Sequence, residues 1–292
     1  MRLTAYRDGL HTIVACRTSD GGVAPLAEAE EFWADPYGWL AHPNATATSR
    51  DVSELQIVPA VRGSARILCV GLNYQAHADE GPFTAPTTPT VFGRWAASLS
   101  TSGSSVRVPP DEPGLDWEGE LVVVVGRPLS EATVAEAESA VFGFAAFNDI
   151  TARSAQRLST QWTLGKNVDR SGPLSDIVTA DEVGDISDGL LLTTQVNGET
   201  VQSARTTEMI FSVEQLLAFI SRTMTLHPGD IVATGTPSGV GYARTPPWFL
   251  NAGDTVVVDI ERVGSVTTNV VASTSASDSE SELASVADGV TS

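Results

Sequence analysis

The chain has 292 residues, 42% hydrophobic and 18% charged, with a formal net charge of −19. That length and composition suit a globular protein of one large domain, or a main domain with a small companion. The acidic balance excludes a nucleic-acid surface or docking on anionic lipid, both of which need clustered lysine and arginine, and no apolar run reaches the ~18 residues of a membrane span.

Residues 1–60 read as a small unit of short strands and a helix, with Leu26 to Trp33 as the helical stretch. The N-terminal segment MRLTAYRDGLHTIVACRTSD carries no signal-peptide pattern. The chain's two cysteines, Cys16 and Cys69, lie far apart, so reduced thiols in the cytoplasm fit better than a disulfide framework. His42 to Asp51 is rich in Pro, Asn, Thr and Ser and reads as a linker. From Ser64 the texture changes. Ile67 to Gly71 is a strand, and Asn73 to Glu80 can form a helical turn after it. Residues 120–125 form a strand, Ser130 to Val141 a helix entered through Leu129-Ser130, and Phe142 to Phe147 a short apolar strand. Apolar residues at three- and four-residue steps make Ile210 to Thr223 a helix. Asp230 to Ala233 and Thr255 to Ile260 are strands, each following a Gly-Asp turn. Ser273 to Ser292 contains four acids and no base and reads as a disordered acidic tail. Strands dominate, helices are few, and the regular alternation of a Rossmann or TIM fold is missing.

Within this frame a pair of acids stands out. Glu118 and Glu120 precede the apolar run Leu121-Val-Val-Val-Val125. On a strand, residues two apart share a face, and four valines in a row predict burial on both faces. Two carboxylates at the mouth of such a strand repel each other and resist desolvation. A divalent cation would relieve both, because hard cations prefer carboxylate oxygens. A solvated strand end is the competing reading. In Cys69-Val-Gly-Leu-Asn-Tyr-Gln-Ala-His77-Ala-Asp-Glu80, a helical turn makes His77 and Glu80 neighbours. A carboxylate that orients an imidazole makes a general base, although an exposed histidine on a short helix would have the same spacing. Asp149 ends the next apolar strand and is either a third oxygen ligand or a helix cap. A helix starting there would bring Arg153 and Gln156 onto its face.

The chain has 16 arginines and a single lysine, Lys166. A lone lysine is either chance or a position where guanidinium cannot serve. Gly235-Thr-Pro-Ser-Gly-Val-Gly241 fails the P-loop and dinucleotide spacings, and leaves a turn through which backbone can approach a small ligand.

Taken together, Gly-x-Asn-Tyr-x-x-His, Glu-x-Glu, Asp-x-Thr-Ala-Arg, Gly-Lys, Gly-Thr-Pro-x-Gly-Val-Gly and the Pro-Pro-x-x-Leu-x-x-Gly-Asp run at Pro246 to Asp254 resemble the fumarylacetoacetate hydrolase superfamily, from about Ile67 to Val271. The resemblance implies an α+β fold, a mixed β-roll at 61–272 behind a small N-terminal α/β domain at 1–60, usually as a homodimer. It implies Mg²⁺ or Mn²⁺ held by Glu118, Glu120 and Asp149, a water-activating pair at His77 and Glu80, and an active-site lysine at Lys166. Positions that contact substrate in relatives fall on Arg153, Gln156 and Thr236. Two departures bear on substrate choice. Ser154 stands where many relatives have aspartate, and Arg94 where many have lysine; neither is expected to touch a metal ligand.

The reaction expected is hydrolytic C–C cleavage of a 2,4-dioxo acid, an acylpyruvate such as fumarylpyruvate. An isomerase, tautomerase, decarboxylase or hydratase of a related 2-oxo-enoate would use the same machinery. A binding protein that has lost catalysis is the third reading.

Overall fold

The computed structural model describes residues 1–42, 48–80 and 85–273. The expected acidic tail, apart from Ser273, and the middle of the expected linker lie outside the described residues.

Two mixed sheets carry the fold. The larger has twelve strands, and its main path runs Val23–Glu28, His11–Arg17, Arg2–Asp8, Ile177–Thr179, Val141–Asn148, Gly119–Val125, Ile231–Ala233, Ile67–Gly71, Thr90–Arg94. Neighbours on this path are antiparallel except Ile231–Ala233 beside Ile67–Gly71, which is parallel. The smaller sheet orders Glu199–Arg205, Leu191–Val196, Thr255–Ile260, Gly264–Val271 and Ser105–Arg107. The N-terminal strands continue the larger sheet, because Arg2–Asp8 pairs with Ile177–Thr179.

The valine run behaves as its composition requires. Every residue of Gly119–Val125 is buried. Leu121, Val123 and Val125 enter one core with Val70, Phe144, Val258 and the helix residues Leu216, Leu217 and Ile220. Val122 and Val124 enter the opposite core with Ile67, Ala145, Phe147 and the N-terminal Phe32 and Trp33. Alternate side chains of one strand thus anchor two cores, which leaves its register little freedom to slip.

Three helices differ from their expected bounds, and tertiary pairing or capping explains each. Leu26 to Glu28 is strand, paired with His11–Arg17, and the helix begins at Ala29. The helix expected from Ser130 spans only Val134–Ser139, because Thr133 and Glu136 form a capping box. The Ile210 helix spans Val213–Ser221, started by a Ser212–Gln215 box, while Ile210 itself bonds back to Asn73.

Candidate metal centre and active site

The acids meet because two strands are in register. Gly119 lies opposite Asn148 and Glu120 opposite Phe147. Just beyond this ladder the Asp149 amide donates to the Glu118 carbonyl at 2.8 Å, and the Glu118 amide donates to Asn148 Oδ1 at 3.1 Å. Glu118, Glu120 and Asp149 are buried, and each offers a carboxylate oxygen within 4.8 Å of the others'. Their burial removes the solvated-strand-end reading. The helix expected to start at Asp149 begins instead at Arg153, after a short strand Thr151–Ala152 that pairs with Leu115–Asp116. Asp149 is therefore neither a cap nor a helix residue.

Cations surround these acids. Lys166 Nζ donates to Glu118 Oε2 at 2.6 Å and to Asp149 Oδ2 at 2.5 Å. Its helix, Thr163–Lys166, packs closely on Arg153–Gln156 because position 165 is glycine: a Cβ there would lie 2.5 Å from Gln156 Cβ. Arg153 Nε donates to Asp116 Oδ2 at 2.8 Å, its Nη1 donates to Gln156 Oε1 at 3.0 Å, and its Nη2 forms an ion pair with Glu118 Oε1 at 2.6 Å. Arg94, buried, pairs with Asp149 and donates to Ser171. This corrects one expectation: the departure at position 94 does touch a metal-ligand candidate. Ser154, the other departure, is exposed and lies off the cavity; its amide donates to Glu112 and its carbonyl accepts from the Arg157 amide.

The electrostatics single out Glu120. Burial pushes the Glu118 carboxyl up, but the Lys166 and Arg153 charges outweigh it and hold Glu118 at about 2. Burial lowers Lys166 in turn, and the Asp149 and Glu118 carboxylates more than reverse this. Glu120 has no ion pair among the described residues; it accepts only the Gly235 amide at 2.9 Å. Burial first, then the Asp149 and Glu118 charges, push its carboxyl well up. Four buried acids, Asp116, Glu118, Glu120 and Asp149, thus face three buried bases, Arg94, Arg153 and Lys166. An all-oxygen donor set with one uncompensated carboxylate fits a hard divalent cation such as Mg²⁺ or Mn²⁺.

His77 and Glu80 are also brought together. His77 is buried, its Nδ1 lies 3.1 Å from Glu80 Oε2, and Glu80 Oε1 accepts the Gly239 amide at 2.6 Å. The glycine-rich segment serves these acids directly: Gly235, Gly239 and Gly241 donate one amide each to Glu120, Glu80 and Asp116. Gly239 has φ +104°, and a Cβ there would lie 2.0 Å from the Val201 carbonyl oxygen, so only glycine fits. Thr236, buried, accepts from Gln202 Nε2 at 2.8 Å and keeps its own hydroxyl proton free to donate.

A cavity of about 290 Å³ opens onto this assembly. His77, Glu118, Glu120, Arg153, Lys166 and Thr236 line it, with Phe92, Trp162 and Tyr242 as aromatic walls. Asp149 sits behind its surface. Sequence reasoning missed Asp116, which binds Arg153 and the Gly241 and Tyr242 amides. Its signal was present: Asp116, Glu118 and Glu120 alternate. Gln202, which braces Thr236 from the second sheet, left no such trace.

The chain belongs to the fumarylacetoacetate hydrolase family: residues 66–271 match the family described as fumarylacetoacetate (FAA) hydrolase C-terminal. A mitochondrial oxaloacetate tautomerase of Rattus norvegicus is 38% identical over 221 residues, covering 75% of this chain and 70% of that protein. A Homo sapiens counterpart is 39% identical over 222 residues, with the same coverage of 75% and 70%. Among solved structures, the 5-carboxymethyl-2-hydroxymuconate delta-isomerase from Mycobacterium smegmatis matches with TM-score 0.77 and 31% identity, over 94% of this chain and all of that one (100%). The fumarylpyruvate hydrolase from Pseudomonas aeruginosa, in complex with Mn²⁺ and pyruvate, matches with TM-score 0.65 and 31% identity, over 75% of this chain and 92% of that one.

Proposed function

We propose that this chain is a divalent-metal-dependent enzyme of small 2-oxo acids, and that it hydrolyses the C–C bond of an acylpyruvate such as fumarylpyruvate. The observation that carries this reading is the opening of one cavity onto both the Glu118, Glu120, Asp149 cluster and the His77–Glu80 pair. A divalent cation bound by those three carboxylates would supply Lewis-acid polarisation of the 2-oxo acid oxygens. With Nδ1 donating to Glu80, His77 presents Nε2 to take a proton from water. The hydroxide so formed adds to the carbonyl distal to the carboxylate. Lys166 has three N–H donors and spends two on Glu118 and Asp149, so the third, with the Thr236 hydroxyl, meets the oxyanion. Collapse of the adduct breaks the C–C bond and expels pyruvate as its enolate, which recovers a proton from the His77 imidazolium. The second carbonyl is required, because without it the departing electron pair has no oxygen to rest on.

One observation favours a second reading. The Rattus norvegicus and Homo sapiens relatives described above, 38% and 39% identical, bear the name oxaloacetate tautomerase. Tautomerisation needs the same base and enolate, but no attack by water. Incubating the metal-loaded protein with fumarylpyruvate and, separately, with enol-oxaloacetate, and weighing the products, separates the two. Fumarate plus pyruvate supports hydrolysis, an unchanged mass with faster ketonisation supports tautomerisation, and inertness toward both under metal overturns the proposal.

A further inference from the structure

The cavity grades from a buried, charge-paired end to an open one, and the open end holds an unusual cation. Arg157 lines it together with Gln156, Ser159 and Tyr242. It is exposed and makes no ion pair or side-chain hydrogen bond among the described residues. The contrast with its neighbour is sharp. Arg153, one helical turn earlier, is buried, donates to Asp116 and Gln156, and is ion-paired with Glu118. Both guanidiniums lie over the same Tyr242 ring, at 4.5 Å for Arg153 and 5.5 Å for Arg157. Arg157 thus lies over the ring in the cavity lining, with its side-chain N–H groups unpaired among the described residues. Asp116 and Glu118 already answer the Arg153 charge, so of the two guanidiniums over this ring Arg157 is the one without a carboxylate partner among the described residues. A planar fork of N–H donors held beside a cavity is suited to a carboxylate.

We propose that Arg157 is a specificity-determining residue that receives the distal carboxylate of the substrate. The enzyme would then select 2-oxo dicarboxylic acids over 2-oxo acids with a neutral tail. This rests on the functional reading above, which places the 2-oxo carboxylate end at the buried acids. A cation held by the inner acids would take the 2-oxo carboxylate and Arg157 the distal one, within one cavity that Phe92, Trp162 and Tyr242 also line.

The test uses the full chain loaded with Mg²⁺ and two inert probes, 2-oxoadipate and 2-oxohexanoate. They differ at the far end, carboxylate against methyl, and lack the second carbonyl that cleavage needs. Isothermal titration should show the wild type binding 2-oxoadipate about five- to tenfold more tightly, the range for a charge-assisted contact discounted for solvent exposure. Arg157→Leu should bring that ratio to within about twofold of one, and Arg157→Lys should keep part of it, since the charge survives without the fork. Equal affinities in the wild type, or a ratio unchanged by Arg157→Leu, would overturn this inference while leaving the functional reading intact. So would an equal loss for both probes with a lower melting temperature, which marks a packing role. Failure of both acids to bind the loaded wild type would sink both the inference and the functional reading.

Discussion

Replacing the only lysine by arginine tests the site most sharply, because Lys166→Arg keeps the charge and alters only its shape. Lys166 is 2% exposed, with its ammonium 2.6 Å from Glu118 Oε2, 2.5 Å from Asp149 Oδ2 and 5.3 Å from the centre of the Phe92 ring. Arg94 and Arg153 already crowd the same carboxylates. A guanidinium there is larger and planar. It can satisfy Glu118 and Asp149, but not with a third N–H aimed into the cavity. Overpacking should cost about 1–3 kcal/mol, a fall in melting temperature of roughly 2–5 °C for a chain of this size. Loss of one oxyanion donor should cost ~10²–10³ in kcat. Lys166→Met provides the contrast. It leaves two buried carboxylates without their ammonium, which should cost about 3–5 kcal/mol in the metal-free protein, partly recovered when Mg²⁺ is added. The assay follows loss of the ultraviolet absorbance of a conjugated acylpyruvate, with metal content and melting curves measured on the same samples. A Lys166→Arg enzyme that is fully metal-loaded and within about threefold of wild-type kcat would refute the placing of this lysine at the chemistry.

Glu118→Gln and Glu120→Gln should diverge. Both should weaken metal binding in titration, but only Glu120→Gln should leave the metal-free melting temperature unchanged or raised, because it removes a buried charge that lacks a cation. Stability should also depend on pH in two senses. Glu118 is held at about 2, so its contribution is present above its unfolded value of ~4.3 and lost as pH falls toward 2. The Glu120 carboxyl is raised, so the metal-free protein loses stability as pH rises through that raised value. The gain in melting temperature from Mg²⁺ should therefore grow with pH, with protons released on binding, and a gain that is flat across pH 5–8 would contradict this account. His77→Ala should lower kcat by roughly 10²–10⁴ with metal content unchanged, and Glu80→Gln should act in the same direction but less severely. A fall in metal content in step with activity would make His77 a ligand instead.

Local pattern was enough to place much of this protein. Four consecutive valines after two alternating acids can only be a strand with both faces covered, so the burial of Gly119–Val125 and the shared direction of Glu118 and Glu120 were legible from composition and the two-residue period. The i, i+3 spacing of His77 and Glu80 and the solitary Lys166 were legible for the same reason, since each rests on neighbours in sequence or on a count.

What the tertiary structure decided was the pairing of charges far apart in the chain. Asp149 joins Glu118 because an antiparallel register closes the gap between them, and it needs no helix to do so. Arg94 reaches Asp149, and Gln202 reaches Thr236, across 55 and 34 residues of sequence. The backbone of the glycine-rich segment, which by pattern could have met a ligand, holds the site's own acids through three amides, while its Thr236 lines the cavity. Such choices follow from which buried group is left without a partner once the sheets are assembled. A carboxylate's desolvation and its neighbours' charges exist only in three dimensions, and no periodicity along the chain encodes them.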